Sequence, residues 1–164
     1  MKKTISFVFA LSSLILLNGC SKDVPEHTHD MYGNAQISSK SLTVFSWEWT
    51  LLDPEYYVDL FVPEITQAVV DNGAVMVYYE NMYGEWEAMP NTVAVSTNYS
   101  TVYSFSHWSG HVSLYVFDTD WFTLSPDDMN IKIVIISERQ LMQDASIDWT
   151  NYEDVTAKLN IESK

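Results

Sequence analysis

Two observations predict an all-β fold, a β-sandwich with an immunoglobulin-like outline, one short crossover helix and a short C-terminal helix. The first is apolar alternation with period two, recurring in short runs between Leu42 and Ser137 that are rich in Val, Ile, Thr, Tyr, Phe and Trp. Such runs bury one face and pack well on a pleated surface. The second is punctuation: turn formers part the runs at Pro54, Tyr83-Gly84, Pro90-Asn91, Ser109-Gly110 and Ser125-Pro126-Asp127-Asp128. About seven to nine short strands with frequent turns favour two packed sheets. The antibody-type cysteine pair is absent, because the chain has one cysteine.

In order, Thr43, Phe45, Trp47, Trp49 and Leu51 alternate against Leu42, Val44, Ser46, Glu48 and Thr50, which predicts a first strand. Beyond Pro54, Tyr56, Val58, Leu60 and Val62 alternate against Glu55, Tyr57, Asp59 and Phe61. From Pro63 to Gly73 the spacing turns helical at Ile65, Ala68 and Val69, predicting a helix of one to two turns that crosses between sheets. Strands are then expected at 74–80, 85–89, 92–96, 99–107, 111–117, 121–124 and 130–137. Ile131, Ile133, Val134, Ile135 and Ile136 form the most continuous apolar run, as a central strand covered on both faces requires. Thr150 and Glu153 have capping-box spacing, and Tyr152, Val155 and Leu159 share one face of the helix that follows.

The chain has 164 residues, 8 basic and 22 acidic side chains and a formal net charge of −14. Nucleic acid is therefore excluded as a natural partner, since phosphate backbones attract Lys and Arg. A single cysteine excludes an intrachain disulfide framework and multi-thiolate metal sites.

The N-terminus reads as an address. Lys2 and Lys3 precede an apolar run from Ile5 to Leu17, the length of a signal-peptide core and too short for a membrane-spanning helix, which needs about 20 residues. The run ends in Leu17-Asn18-Gly19-Cys20, which resembles the bacterial lipobox, so Cys20 is the expected lipidation site and its thiol is consumed by the anchor. Ser21, where an Asp in that sorting pattern implies inner-membrane retention, implies the outer membrane. The resulting division is a signal peptide over 1–19, a flexible tether over 20–40 and a β-sandwich domain over 41–164.

With that N-terminus, three further stretches and the tail, Asn151-Tyr152-Glu153-Asp154-Val155, resemble small outer-membrane lipoproteins of Bacteroidota with unassigned function. The stretches are Ile65-Thr66-Gln67-Ala68-Val69-Val70-Asp71-Asn72-Gly73-Ala74-Val75-Met76-Val77-Tyr78, Trp86-Glu87-Ala88-Met89-Pro90 and the Ile131–Ile136 run. The resemblance implies an all-β envelope protein and transfers no catalytic residue.

Candidate chemistry is sparse. His27 and His29 lie in the tether, where no rigid second shell orients a metal ligand, and they read as a solvated linker. His107 and His111 flank Trp108-Ser109-Gly110. A two-residue hairpin turn at Ser109-Gly110 sends them to opposite faces, whereas a three-residue loop would let them share a metal. The former geometry is favoured. Asp118, Asp120, Asp127 and Asp128 are the candidate Ca²⁺ ligands, although Phe122 stands where an EF-hand places its third ligand. No other cofactor is implied. Glu85 and Glu87 share a strand face and are the only pair that suggests a glycan hydrolase, but paired carboxylates also protect strand edges. A nucleophile elbow and a glycine-rich phosphate loop are both missing from the sequence.

Two asymmetries carry more. Between Lys40 and Lys132 there is no Lys or Arg, against 13 acidic residues. The Tyr and Trp residues exceed what a small core needs, so some must reach the surface, where such rings anchor interfaces and stack on sugars. Trp108, Tyr83 and Trp86 are the candidate ligand-binding residues. The function expected is non-catalytic binding of an envelope protein or glycan by a lipid-anchored module, with a structural envelope scaffold as the alternative and a paired-acid glycan hydrolase third.

Overall fold

The computed structural model describes residues 37–143, 146–159 and 161. The stretch expected to be a signal peptide, Cys20 and most of the expected tether lie outside the described residues, as do His27 and His29.

Among the described residues, nine strands form two antiparallel sheets packed as a sandwich. They are β1 (Ser38–Val44), β2 (Thr50–Leu52), β3 (Glu55–Phe61), β4 (Ala74–Glu80), β5 (Trp86–Ala88), β6 (Asn91–Ala94), β7 (Ser100–Trp108), β8 (His111–Asp118) and β9 (Met129–Ile136). One sheet has the order β1-β9-β4-β5, the other β2-β3-β8-β7-β6. Within the sandwich, the first described strand pairs antiparallel with the last, β1 with β9. The described residues also form three short helices: α1 (Gln67–Asn72), α2 (Glu138–Gln143) and α3 (Tyr152–Leu159).

Both apolar faces of β9 are covered, as its continuous apolar run requires. Ile131, Ile133 and Ile135 meet Val58, Val112 and Leu114 in the core between the sheets. Val134 and Ile136 point the other way and pack with Tyr78 against Ile147, Tyr152 and Val155. The C-terminal segment thus covers the outer face of the four-stranded sheet, and the Tyr78 hydroxyl ties it down by donating to Trp149 O at 2.7 Å. Helix α1 carries the chain from β3 in one sheet to β4 in the other. Thr66 caps its start and Gly73 ends it where a Cβ would run into Ile136 O, so only glycine fits that approach.

Four expectations need correction. The single strand expected over 42–51 breaks into β1, a 3₁₀ turn at Ser46–Glu48 and β2, and the two strands join different sheets. Local side-chain bonds outcompete a continued ladder there: Glu48 accepts from Phe45 N at 2.8 Å and Asp128 from Ser46 N at 2.7 Å. β1 also begins at Ser38, so the folded part reaches back into the stretch read as tether. Residues 121–124 are not a strand. Asp120 Oδ1 accepts from Phe122 N, Thr123 Oγ1 accepts from Asp118 N, and Trp121 adopts a left-handed φ of 68°. The cap of α3 is Asn151, whose Oδ1 accepts from Asp154 N at 3.1 Å, while Thr150 turns back to Asp148. Helix α2 has no counterpart in the sequence reading.

Candidate functional site

The sheets differ in what covers them. The outer face of the five-stranded sheet stays open: Asp59, Phe61, Ser106 and Trp108 are all exposed. Its register builds a patterned surface. Phe61, His111 and Trp108 form one cross-strand row, Asp59, Ser113 and Ser106 the next, and Tyr57, Tyr115 and Ser104 a third. Alternate residues on a strand face are about 6–7 Å apart, so two aromatic rows flank a polar one over about 13 Å.

The first row is continuous. Trp108 stacks on His111 with centroids 5.2 Å apart, and Phe61 meets the same imidazole edge-on at 5.6 Å. Phe61 is 67% exposed and Trp108 42%. The turn expected at Ser109-Gly110 makes this possible. Gly110 takes a left-handed φ of 83°, Trp108 pairs with His111 and His107 with Val112. The two histidines therefore face opposite sides of the sheet, and His107 stacks near Phe105 instead.

In the second row Asp59 holds its neighbours. His111 Nδ1 lies 3.0 Å from Asp59 Oδ2, and the buried Ser113 hydroxyl donates to Asp59 Oδ1 at 3.0 Å. These are the residue types of a hydrolytic triad in the wrong order. The carboxylate sits between Ser and His, so the imidazole is not placed to take the serine proton. What remains is a fixed polar strip with a carboxylate, hydroxyls and an imidazole beside solvent-facing rings. The third row adds Tyr115, whose hydroxyl lies 3.2 Å from Ser106 Oγ.

The three aromatic residues singled out from sequence fall in three places. Trp108 belongs to the open face. Tyr83 is exposed in the β4–β5 hairpin, beyond the far end of β4. Trp86 lies on β5 and lines a cleft of about 810 Å³ with Glu85, Glu87, Asp148 and Tyr152. Behind Trp86 sits Lys132, only 3% exposed, with its ammonium 4.4 Å from the Trp86 ring centroid and 4.5 Å from that of Tyr152.

Three of the four candidate Ca²⁺ ligands accept hydrogen bonds from neighbouring loops and strands. Asp118 accepts from Thr101 Oγ1 at 2.5 Å, Asp120 from Phe122 N and Asp128 from Ser46 N, while Asp127 is exposed. Among the described residues no group of three or more His, Cys, Asp or Glu is placed to hold a metal ion.

Glu85 and Glu87 are joined through Asn81, whose Nδ2 donates to both, at 3.2 and 2.7 Å. Glu87 also accepts from the Tyr79 hydroxyl at 2.8 Å and from Asn91 Nδ2. These hydrogen bonds, Asn81 and Tyr79 foremost, hold its carboxyl below the ordinary glutamate range. A general acid needs the opposite shift. Burial and the bond to Glu87 push the Tyr79 phenol upward, and burial raises that of Tyr103, which stacks on Tyr79 at 4.5 Å. Asn91 opens β6 of the other sheet, so this network latches the sandwich where the chain passes between sheets.

Sequence reasoning missed Phe61, Asp59, Ser113, Tyr57 and Tyr115 as site residues. The alternation in β3 had placed Tyr57, Asp59 and Phe61 on one face, but nothing local shows that β8 sets His111 and Ser113 beside them. No protein-family model, curated protein or solved structure matches the chain, so the open aromatic face is interpreted on its own chemistry.

Proposed function

We propose that this chain is a non-catalytic binding module of a bacterial cell envelope, tethered through a lipid on Cys20, that holds a glycan on the open aromatic face. The observation that carries the reading is the row Phe61–His111–Trp108 lying exposed beside the Asp59–Ser113–Ser106 strip. A sugar ring has apolar C–H faces that stack on aromatic rings and hydroxyls that need donors and acceptors at its edge. Both lie here on rigid strands. Among the described residues, Asp59 and Glu55 are the carboxylates on the outward strand positions of this sheet, which suits a neutral or amino sugar.

The outer-membrane address and the anchor rest on the lipobox-like Leu17-Asn18-Gly19-Cys20 and on Ser21. The test is a screen of the full chain against immobilised oligosaccharides, followed by calorimetry on any that bind. Trp108→Ala and Phe61→Ala are expected to weaken binding about tenfold each, the equivalent of about 1.4 kcal/mol, with melting temperature nearly unchanged. Failure of every oligosaccharide to bind, or equal affinity in both variants, overturns the glycan reading.

A further inference from the structure

A second surface lies at one end of the sandwich, away from the open face. Glu80 at the end of β4 meets Asn130 at the start of β9, and Thr43 at the end of β1 meets the same Asn130. Thr101 at the start of β7 pairs with Asp118 at the end of β8. The β1–β2, β4–β5, β6–β7 and β8–β9 connections therefore gather at a common end. Gly110 of the β7–β8 turn bonds instead to Val62 and Ile65 ahead of α1, at the opposite end.

The gathered loops carry Trp47, Met82, Tyr83, Trp121, Phe122 and Leu124, each between 73% and 88% exposed. Solvated turns rarely present so many large apolar side chains together. They are also held in place. Phe45 and Trp47 stack with centroids 4.4 Å apart, Ser46 N donates to Asp128, Tyr83 N donates to Asn81 Oδ1 at 2.9 Å, and Trp121 is kept in its left-handed conformation. Exposed aromatic tips whose backbone is fixed on loops of a sandwich have the character of binding anchors, because less loop freedom remains to be lost on association.

Charge selects the occupant. Glu48, Glu85, Asp120, Asp127 and Asp128 stand among these tips, and the residues from 41 to 131 contain no Lys or Arg. A bilayer would have to bury tips flanked by carboxylates that gain nothing from lipid and are repelled by anionic headgroups. A second copy of the chain would present the same negative end. A protein surface with an apolar groove and a rim of Lys and Arg complements both features.

We infer that this loop end is a docking surface for a protein partner whose apolar groove is rimmed by basic residues, distinct from the aromatic face of the five-stranded sheet. The test is site-specific photocrosslinking of the full-length protein in intact cells of its host. A photoreactive amino acid replaces Trp47 or Phe122, with Glu64 as the control position at the other end. The expected result is one protein captured from both tip positions and not from Glu64, at a peptide carrying Lys or Arg beside apolar residues. Capture from the Phe122 position should then fall at least tenfold when Trp47→Ser or Asp127→Lys is introduced, while melting temperature and oligosaccharide binding stay as in the parent. Crosslinks to lipid, to a second copy of the chain, equally from Glu64, or to no protein at all overturn the inference.

Discussion

Lys132 shows how one residue can escape a sequence reading. It interrupts the most apolar run in the chain, where its neighbours Ile131 and Ile133 face the inter-sheet core. Its own side chain points to the outer layer, where the ammonium donates to the Tyr152 hydroxyl at 2.7 Å beneath the rings of Trp86 and Tyr152. Aromatic faces attract a cation, but a buried charge still depends on every hydrogen bond it has. Tyr152→Phe should therefore lower unfolding stability by about 1–3 kcal/mol. Lys132→Met, which keeps the length and removes the charge, should cost less. Urea unfolding of the two variants measures the difference, and a Tyr152→Phe midpoint equal to the parent's would show that the hydrogen bond contributes nothing. From sequence, Lys132 was visible only as the end of a cation-free stretch. Its cage is assembled from β5, β9 and α3, which no local pattern connects.

Among the elements, the passage from β5 to β6 adds a polar latch to the apolar contact between the sheets. Glu87 on β5 accepts from Tyr79 on β4 and from Asn91 on β6, so a single carboxylate joins the two sheets at their edge. Its pKa is depressed in the fold, so the unfolded chain takes up the proton first as pH falls. The stability it contributes is present above the unfolded glutamate pKa and is lost as pH drops through the folded value. Glu87→Gln is expected to flatten the acid limb of the stability curve below the ordinary glutamate range, in thermal melts taken across that interval. A melt series parallel to the parent's would remove Glu87 from that role. The paired carboxylates were legible in sequence and suggested acid chemistry. Their hydrogen-bond donors, spread over Asn81, Tyr79 and Asn91, give them an architectural one.

For the whole molecule, the two proposed surfaces share one small sandwich, and the proposed anchor lies ahead of it. The open face is built from the middles of β3, β8 and β7, and the loop end from the connections beyond the strand ends. The charge asymmetry reinforces this arrangement. Of the four described cations, Lys132 is buried, Lys40 donates to Phe61 O, Lys158 is bound to Asp154 and to Ser146 O, and Arg139 lies on α2, so none belongs to the loops that carry the exposed tips. With a lipid on Cys20, the domain would be held at a membrane while net negative charge keeps it from adhering to anionic headgroups. Cys20→Ala should move the protein from the membrane fraction to the soluble one or leave the signal peptide uncleaved. Unchanged fractionation and size would remove the anchor from the proposal.

By itself the sequence determined the sandwich, the crossover helix, the doubly covered β9 and the two-residue turn at Ser109-Gly110. Each is written in local chemistry: period-two alternation, capping residues, a continuous apolar run, a glycine where a left-handed φ is needed. The tertiary structure alone decided that the first apolar stretch would divide between sheets, that the C-terminal helices would cover only one of them, and that Trp108, Tyr83 and Trp86 would part company. Those outcomes depend on which strands become neighbours. Register across strands distant in the chain places Asp59 beside His111 and Phe61 beside Trp108's partner, and no short-range periodicity encodes it.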